Sequence, residues 1–491
     1  VVAAARDHLR NPGNTVELHL PPGRYDLGAE HAVERRWFIS NHDNGPLKAV
    51  GLPLCGLRGL TIDAAGAELI GHGRLLPLGI SDCEDLEIRG LAIDFVRPHH
   101  SQATVVAADG DTVELALGPE YPYLVEGGRL LFTGPGWREP VWTWSCMEFE
   151  ADTGRIAYRS GDRQFRGTAE ELAPGRVRLT GFAFTPAVGN RLVLRHGGRP
   201  HPGIFIQRSR DLRFRDVTVH QAEGMGWLAQ RGADITIEGG GVHLRPGDPR
   251  VFTTSADATH FSNCSGTITV EEALFEGMMD DAINVHGTYL QVQATEEDGA
   301  VRARFMHGQS TGFAFALRGE KVQFVRRDTL LPYAAAAVDE VRKLSDTEVL
   351  LRFFGGPPEG LAAGDGLENL SATPEVLFRG NVVRNNRARG ALFSSPRRTL
   401  VEDSLFDHSS GSAILLAGDC NGWFESGACG EVLIRGNRFV NNLTSLYQFT
   451  QAVISIHPEV PALAEQERGY HAGVRIEDND FTVFDAPVLF A

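Results

Sequence analysis

Two stretches carry the residues best suited to chemistry. They are 253-TTSADATHFSNCSG, with Asp257, His260 and Asn263, and 277-GMMDDAINVHG, with Asp280, Asp281, Asn284 and His286. Asp257 and Asp280 are 23 residues apart. If one turn of a repeating β-coil is that long, the two stack at the inter-strand spacing of about 4.8 Å and share a face. Three crowded carboxylates repel one another, so at least one is expected to hold its proton above the usual range. A protonated acid beside ionised carboxylates is what glycoside hydrolysis requires. The alternative is that these aspartates cap turns or bind calcium, which usually draws a more regular ladder of Asp and Asn ligands.

A second cluster, 417-AGDCNGWFESGACG, sets Trp423 among Asn421, Glu425 and Ser426. The indole offers a flat apolar face to a pyranose ring, and the short polar groups suit its hydroxyls. A loop packed around a core tryptophan would look the same. Arg97, His99, Ser101 and Gln102 in 94-DFVRPHHSQATVV read equally as a binding edge or a structural junction. His307 and Gln309 in 306-MHGQSTGF are either pocket residues or an ordinary barrel loop. No G-x-S-x-G elbow announces a nucleophilic serine.

The elements that must position these side chains repeat. A short β-rich segment, a turn with Asn, Asp or Gly, and a second β-rich segment recur in 57-LRGLTIDAAGAELIG, 211-DLRFRDVTVHQ, 375-EVLFRGNVVRNN and 431-EVLIRGNRFVNN. Leu212 to Ile235 is 23 residues, Leu377 to Leu400 is 23, and Leu60 to Leu86 is 26. Period-two alternation excludes helical repeats, and no unit shows the L-x-x-L-x-L of leucine-rich repeats. The expected fold is all-β: a right-handed parallel β-helix with two inserted small β-barrels or sandwiches. The expected divisions are 1–98 (cap and first rungs), 99–200 (insert), 201–287 (central rungs), 288–373 (insert) and 374–491 (last rungs). A capping helix is predicted at 2–10, and strands inside the first insert include 155–160.

Length alone would suggest about three domains, a prior that fails for solenoids because they extend one core. The 491 residues are 42% hydrophobic with net charge −16. There is no basic cluster and no apolar run near the roughly 18 residues of a membrane span. Nucleic acid and membrane are therefore not expected partners. Six cysteines without C-x-x-C spacing argue against zinc. Cys55 with Cys83, and Cys420 with Cys429, are either disulfides or free thiols. A secreted protein whose leader has been removed is expected.

At these residues the chain resembles glycoside hydrolase family 110, α-1,3-galactosidases that remove the blood-group B determinant. The resemblance lies in PPGRYD (21–26), ISN (39–41), DFVRPHHSQ (94–102), CMEFEAD (146–152) and DATHFSNCSG (257–266). It continues in MMDDAINVHGTYL (278–290), MHGQ (306–309), GDCNGWFESG (418–427) and LTSLYQFTQAVISI (443–456). It departs at Cys420 and Phe424, where the family pattern carries a small residue and a tyrosine. The resemblance implies a β-helix with barrel insertions, an inverting mechanism, and no metal or cofactor in the chemistry. It implies Asp280 as general acid, with Asp257 and Asp281 activating water. The substrate is then a galactose-terminated glycan, its hydroxyls held by Asn421, Glu425, Asn284 and His286. Exposed solenoid faces are compatible with a homodimer. The rivals are a pectinase-like hydrolase or lyase, disfavoured by the acidic cluster, and a non-catalytic carbohydrate-binding solenoid.

Overall fold

The computed structural model describes residues 15–43, 45–445, 450–461, 463 and 466–491, so the helix predicted at 2–10 lies outside it. Among the described residues no helix is long and apolar enough to cross a membrane. Among the described residues, three largely parallel sheets of ten, ten and twelve strands run along one axis, their strands side by side in chain order; on the third, Val33–Arg36 at its edge and the out-of-order Glu425–Ser426 pair antiparallel. Each turn of the chain adds one strand to each sheet. This is a parallel β-helix. The register pairs Leu60 with Leu86, Leu212 with Ile235 and Leu377 with Leu400, as the repeat lengths indicate.

Period-two patterning explains the first sheet. In Arg210–Arg215 only Leu212 and Phe214 point inward, between exposed charged neighbours. Leu60, Leu86, Leu212, Ile235, Ile268 and Val376 stack in register through six turns, none more than 3% exposed. Each such side chain contributes about 1.5–3 kcal/mol by leaving water. The turn aspartates of the repeat have a backbone role. Asp85, Asp211 and Asp234 adopt φ of 52°, 55° and 53°, a left-handed conformation that Asp tolerates better than most residues.

The third sheet differs. Its strands Trp227–Gln230, Thr259–Ser262 and Ile283–Thr288 are buried on both faces. One face packs into the coil; the inserts and C-terminal loops cover the other. The first insert is an eight-stranded antiparallel, barrel-like sheet from Ser101–Asp109 to Arg191–His196, with its own apolar core. The second is a closed six-stranded barrel from Leu290–Thr295 to Gly366–Asn369. The strand predicted at 155–160 does not form, and only Ile156 bridges to Phe149. Gly154 and Gly161, both at positive φ, bend that segment back toward the solenoid.

All six cysteines are free thiols. Cys83 and Cys429 face the solenoid core, where their Sγ atoms lie 3.4 Å from the Leu54 and Phe393 carbonyls. Cys420 packs instead with Tyr289, Val325 and Phe424, so Cys420 and Cys429 belong to different cores.

Candidate active site

Asp257 and the Asp280–Asp281 pair sit in the turns that feed two adjacent strands of the doubly buried sheet, Thr259–Ser262 and Ile283–Thr288. The strands pair Thr259 with Ile283, and Ala258 N–H donates to the Asp281 carbonyl at 2.8 Å. The local repeat is thus 24 residues, which stacks Asp281 rather than Asp280 on Asp257. Asp280, one residue earlier, turns outward. The three carboxyl groups still converge, with oxygens within 4.8 Å of one another. Their side chains are 5%, 14% and 1% exposed for Asp257, Asp280 and Asp281 respectively, so Asp280 is the most open to the pocket.

Four arginines surround the trio. Arg389 donates from Nη2 to Asp281 Oδ2 at 2.8 Å and from its backbone N–H to Oδ1 at 2.9 Å. Arg387 and Arg199 approach Asp280 at 3.5 and 3.8 Å. Asp162 of the first insert grips Arg387 at 2.8 and 2.5 Å and lies 3.8 Å from Arg195. Burial pushes Asp257 up to about 8, with the charge of Asp280 adding to the effect. Burial also holds Asp281 well above the carboxylate range, against the opposing pull of Arg389. For Asp280 burial acts the same way, but Arg387, Arg389, Arg199 and Arg195 together outweigh it and bring the group below its ordinary value. Proton-holding and ionised carboxyls therefore lie side by side, the division that acid/base hydrolysis needs.

Behind Asp257, His260 Nδ1 lies 2.7 Å from Oδ2, and its Nε2 lies 2.8 Å from Nε2 of His286. Burial, aided by His286, keeps His260 far below its usual pKa. Asn284 lines the pocket with a buried Oδ1 that has no protein partner, an acceptor free to take a hydroxyl. Glu425 enters on a short strand paired with Gly287 and Thr288, and Asn41 Nδ2 donates to its Oε1 at 3.1 Å. Asp419 accepts the backbone N–H groups of Asn421, Gly422 and Trp423 at 2.6–3.0 Å and so fixes the turn carrying Trp423. The indole, 36% exposed at the mouth, packs on His307 with ring centroids 4.3 Å apart. Glu459 completes that wall, raised to about 7 by partial burial and by Asp419 and Glu425. The pocket encloses about 630 Å³, counting its open mouth.

Among the described residues, two groups of three could bring ligand atoms to one cation: the aspartates, and His260 with His286 and Glu425. In both, the chain already supplies partners, guanidinium groups for the first and an imidazole–imidazole contact for the second.

Asp257, His260, Asp280, Asp281, Asn284, Trp423 and Glu425 all line the pocket. His286 and His307 stand directly behind it. Gln309 lies further back, 3.3 Å from Asp43, which fixes the backbone of Arg199. Asn421 is exposed beside the rim. Three expected residues do other work. Arg97 is buried at the root of the first insert, bonded to Ser101 Oγ and lying over the Trp137 ring. Asn263 closes a turn through Thr288. Ser426 is buried opposite Gly287 in the strand pair that seats Glu425. Sequence reasoning missed Asn41, the four arginines and Glu459.

Residues 101–192 match the family described as GLAA-B beta-barrel domain I, and residues 300–367 match GLAA-B beta-barrel domain II. The "Alpha-1,3-galactosidase B" of Phocaeicola vulgatus is 44% identical over 98% of this chain and 84% of its own length. The protein of the same name from Parabacteroides distasonis is 43% identical over 100% of this chain and 82% of its own.

The chain belongs to the alpha-1,3-galactosidase family.

A third member of the family, from Akkermansia muciniphila, is 46% identical, and the chain spans 62% of its length. Among solved structures, a Yersinia enterocolitica family 28 exopolygalacturonase aligns over 100% of this chain and 62% of its own. Its TM-score of 0.35 and 10% identity are too distant to bear on function.

Proposed function

We propose that this chain releases terminal α-1,3-linked galactose from glycans such as blood-group B structures, with inversion at the anomeric carbon. The observation that carries the reading is the carboxylate trio, close together yet divided in proton affinity, lining one pocket. Asp280, the most open of the three, takes up a proton shared within the trio and gives it to the glycosidic oxygen as the C–O bond breaks. A water held by Asp257 and Asp281 attacks the opposite face and leaves its proton on Asp257. The three titrate as a unit, so the proton moves among them rather than belonging to one residue. Asn284 and Glu425 hold hydroxyls, and Trp423 covers the apolar face of the ring.

One measurement favours a second reading. Inverting pairs usually stand about 6.5–9.5 Å apart and retaining pairs about 5–5.5 Å, and the nearest oxygens here lie within 4.8 Å. Asp280 would then be the nucleophile and Asp257 the acid. Against this, the ionised Asp280 is drawn back toward Arg387 and Arg199, which weakens it as a nucleophile. NMR of the first-formed sugar from an α-1,3-galactoside decides the matter. β-Galactose appearing first is expected, and α-galactose appearing first would replace the inverting mechanism. Asp280→Asn should lose at least about 100-fold more rate on the natural disaccharide than on a substrate with a good leaving group. Equal losses would remove Asp280 from the acid role.

A further inference from the structure

The hydrogen bonds behind Asp257 can run in only one direction when both histidines are neutral. The Gly287 carbonyl is an acceptor, so the proton of His286 sits on Nδ1, 2.6 Å from that oxygen. His286 Nε2 is then bare, and the hydrogen in its 2.8 Å contact must come from Nε2 of His260. That leaves His260 Nδ1 bare as well, 2.7 Å from Asp257 Oδ2. Only Asp257 can supply the last hydrogen. The two rings meet edge to face at 81°, and both side chains are 1% exposed, so water does not interrupt the chain.

We infer that His260 and His286 are positioning residues forming a buried proton wire, anchored on the Gly287 carbonyl, that makes Asp257 the resting proton holder of the trio. Its consequence for turnover rests on the hydrolytic reading given above. On substrate binding Asp257 passes its proton to Asp280 through one bridging water, the two carboxyl oxygens lying within 4.8 Å. Asp280 hands it to the departing oxygen. Asp257, now an anion facing a bare nitrogen, is a poor holder of charge and strips a proton from the attacking water. One proton enters Asp257 for each that leaves Asp280, and the resting state returns without exchange with solvent.

Other charged groups face this wire. Asp280 and Glu425 raise the proton affinity of Asp257, while Arg199 and Arg389 lower it. Glu425 Oε1 lies 3.4 Å from His286 Nε2 and accepts the Asn41 amide at 3.1 Å. With both rings neutral, none of them changes which atom must donate along the wire.

Infrared spectroscopy of the full chain tests this without substrate. A protonated-carboxyl band should be present at pH 7, vanish in part in Asp257→Asn, and titrate near pH 8. In His286→Phe, His260 is free to turn its proton toward Asp257, and the midpoint should fall by about one pH unit or more. A band unchanged by Asp257→Asn, or a midpoint unmoved in His286→Phe, overturns the wire. If His286→Phe does not fold, ¹⁵N shifts of the imidazoles in the unmodified chain decide instead. Nδ1–H on His286 with Nε2–H on His260 is expected, and the opposite tautomer on His260 overturns the proposal. Failure to release galactose would count against the hydrolytic reading and leave the spectroscopic result standing.

Discussion

Both inserted barrels leave the same coil and return to it, and both reach the pocket, but by different means. The first acts through charge. Its Asp162 holds Arg387, and Arg387 lies 3.5 Å from Asp280. It contributes nothing to the pocket surface near Trp423. The second acts through shape and neutral contacts. Its His307 backs Trp423, and its Ser310 donates to Asn41 Oδ1 at 3.3 Å, which in turn steadies Glu425. The contrast separates two tasks: one insert sets the electrostatics around the carboxylate trio, the other braces the wall that carries Trp423 and Glu425.

That separation can be broken by experiment. The largest effect is expected from Asp162→Asn, which takes from the buried Arg387 the closer of its two carboxylate partners. Losing one partner of a buried pair costs about 3–5 kcal/mol, so a melting curve should confirm that the variant is folded at the assay temperature. Its kcat should fall about 100-fold, with KM within about threefold of the parent. A rise in KM with kcat intact would assign the first insert to binding and dissolve the contrast. A smaller effect, about fivefold in KM with little change in kcat, is expected of His307→Ala, because an aromatic contact is worth about 0.5–1.5 kcal/mol. The mirror result, kcat falling alone, would show the second insert taking part in chemistry. Ser310→Ala should be the mildest, roughly twofold in KM, as befits one hydrogen bond of about 0.5 kcal/mol.

The coil was readable because its inward positions repeat. Leu60, Leu86, Leu212 and Ile235 mark rung lengths that the backbone register reproduces. The aspartates were readable because they fall in two segments about one rung apart. The arginines were not, and the reason is topological. Ile283 pairs with Ala391, so Arg389 stands one turn above Asp281, yet the second insert puts 108 residues between them. In the sequence NNRARG, Arg387 and Arg389 look like solvated surface charges; only with the insert set aside do they line up with GMMDDA. Arg97 misled for the opposite reason. A polar junction and a binding edge share the same residue types, and only packing shows that its guanidinium is consumed by Ser101 and by the carbonyls of Pro98 and His100.

The free thiols have a practical consequence. Burial lifts Cys83 to about 11 and Cys264, Cys420 and Cys429 to about 12. At neutral pH these sulfurs are almost wholly un-ionised and shielded, poor targets for alkylating reagents or for sulfenylation. A coil stitched by backbone ladders instead of covalent cross-links can mature without an oxidase and should keep its melting temperature in dithiothreitol.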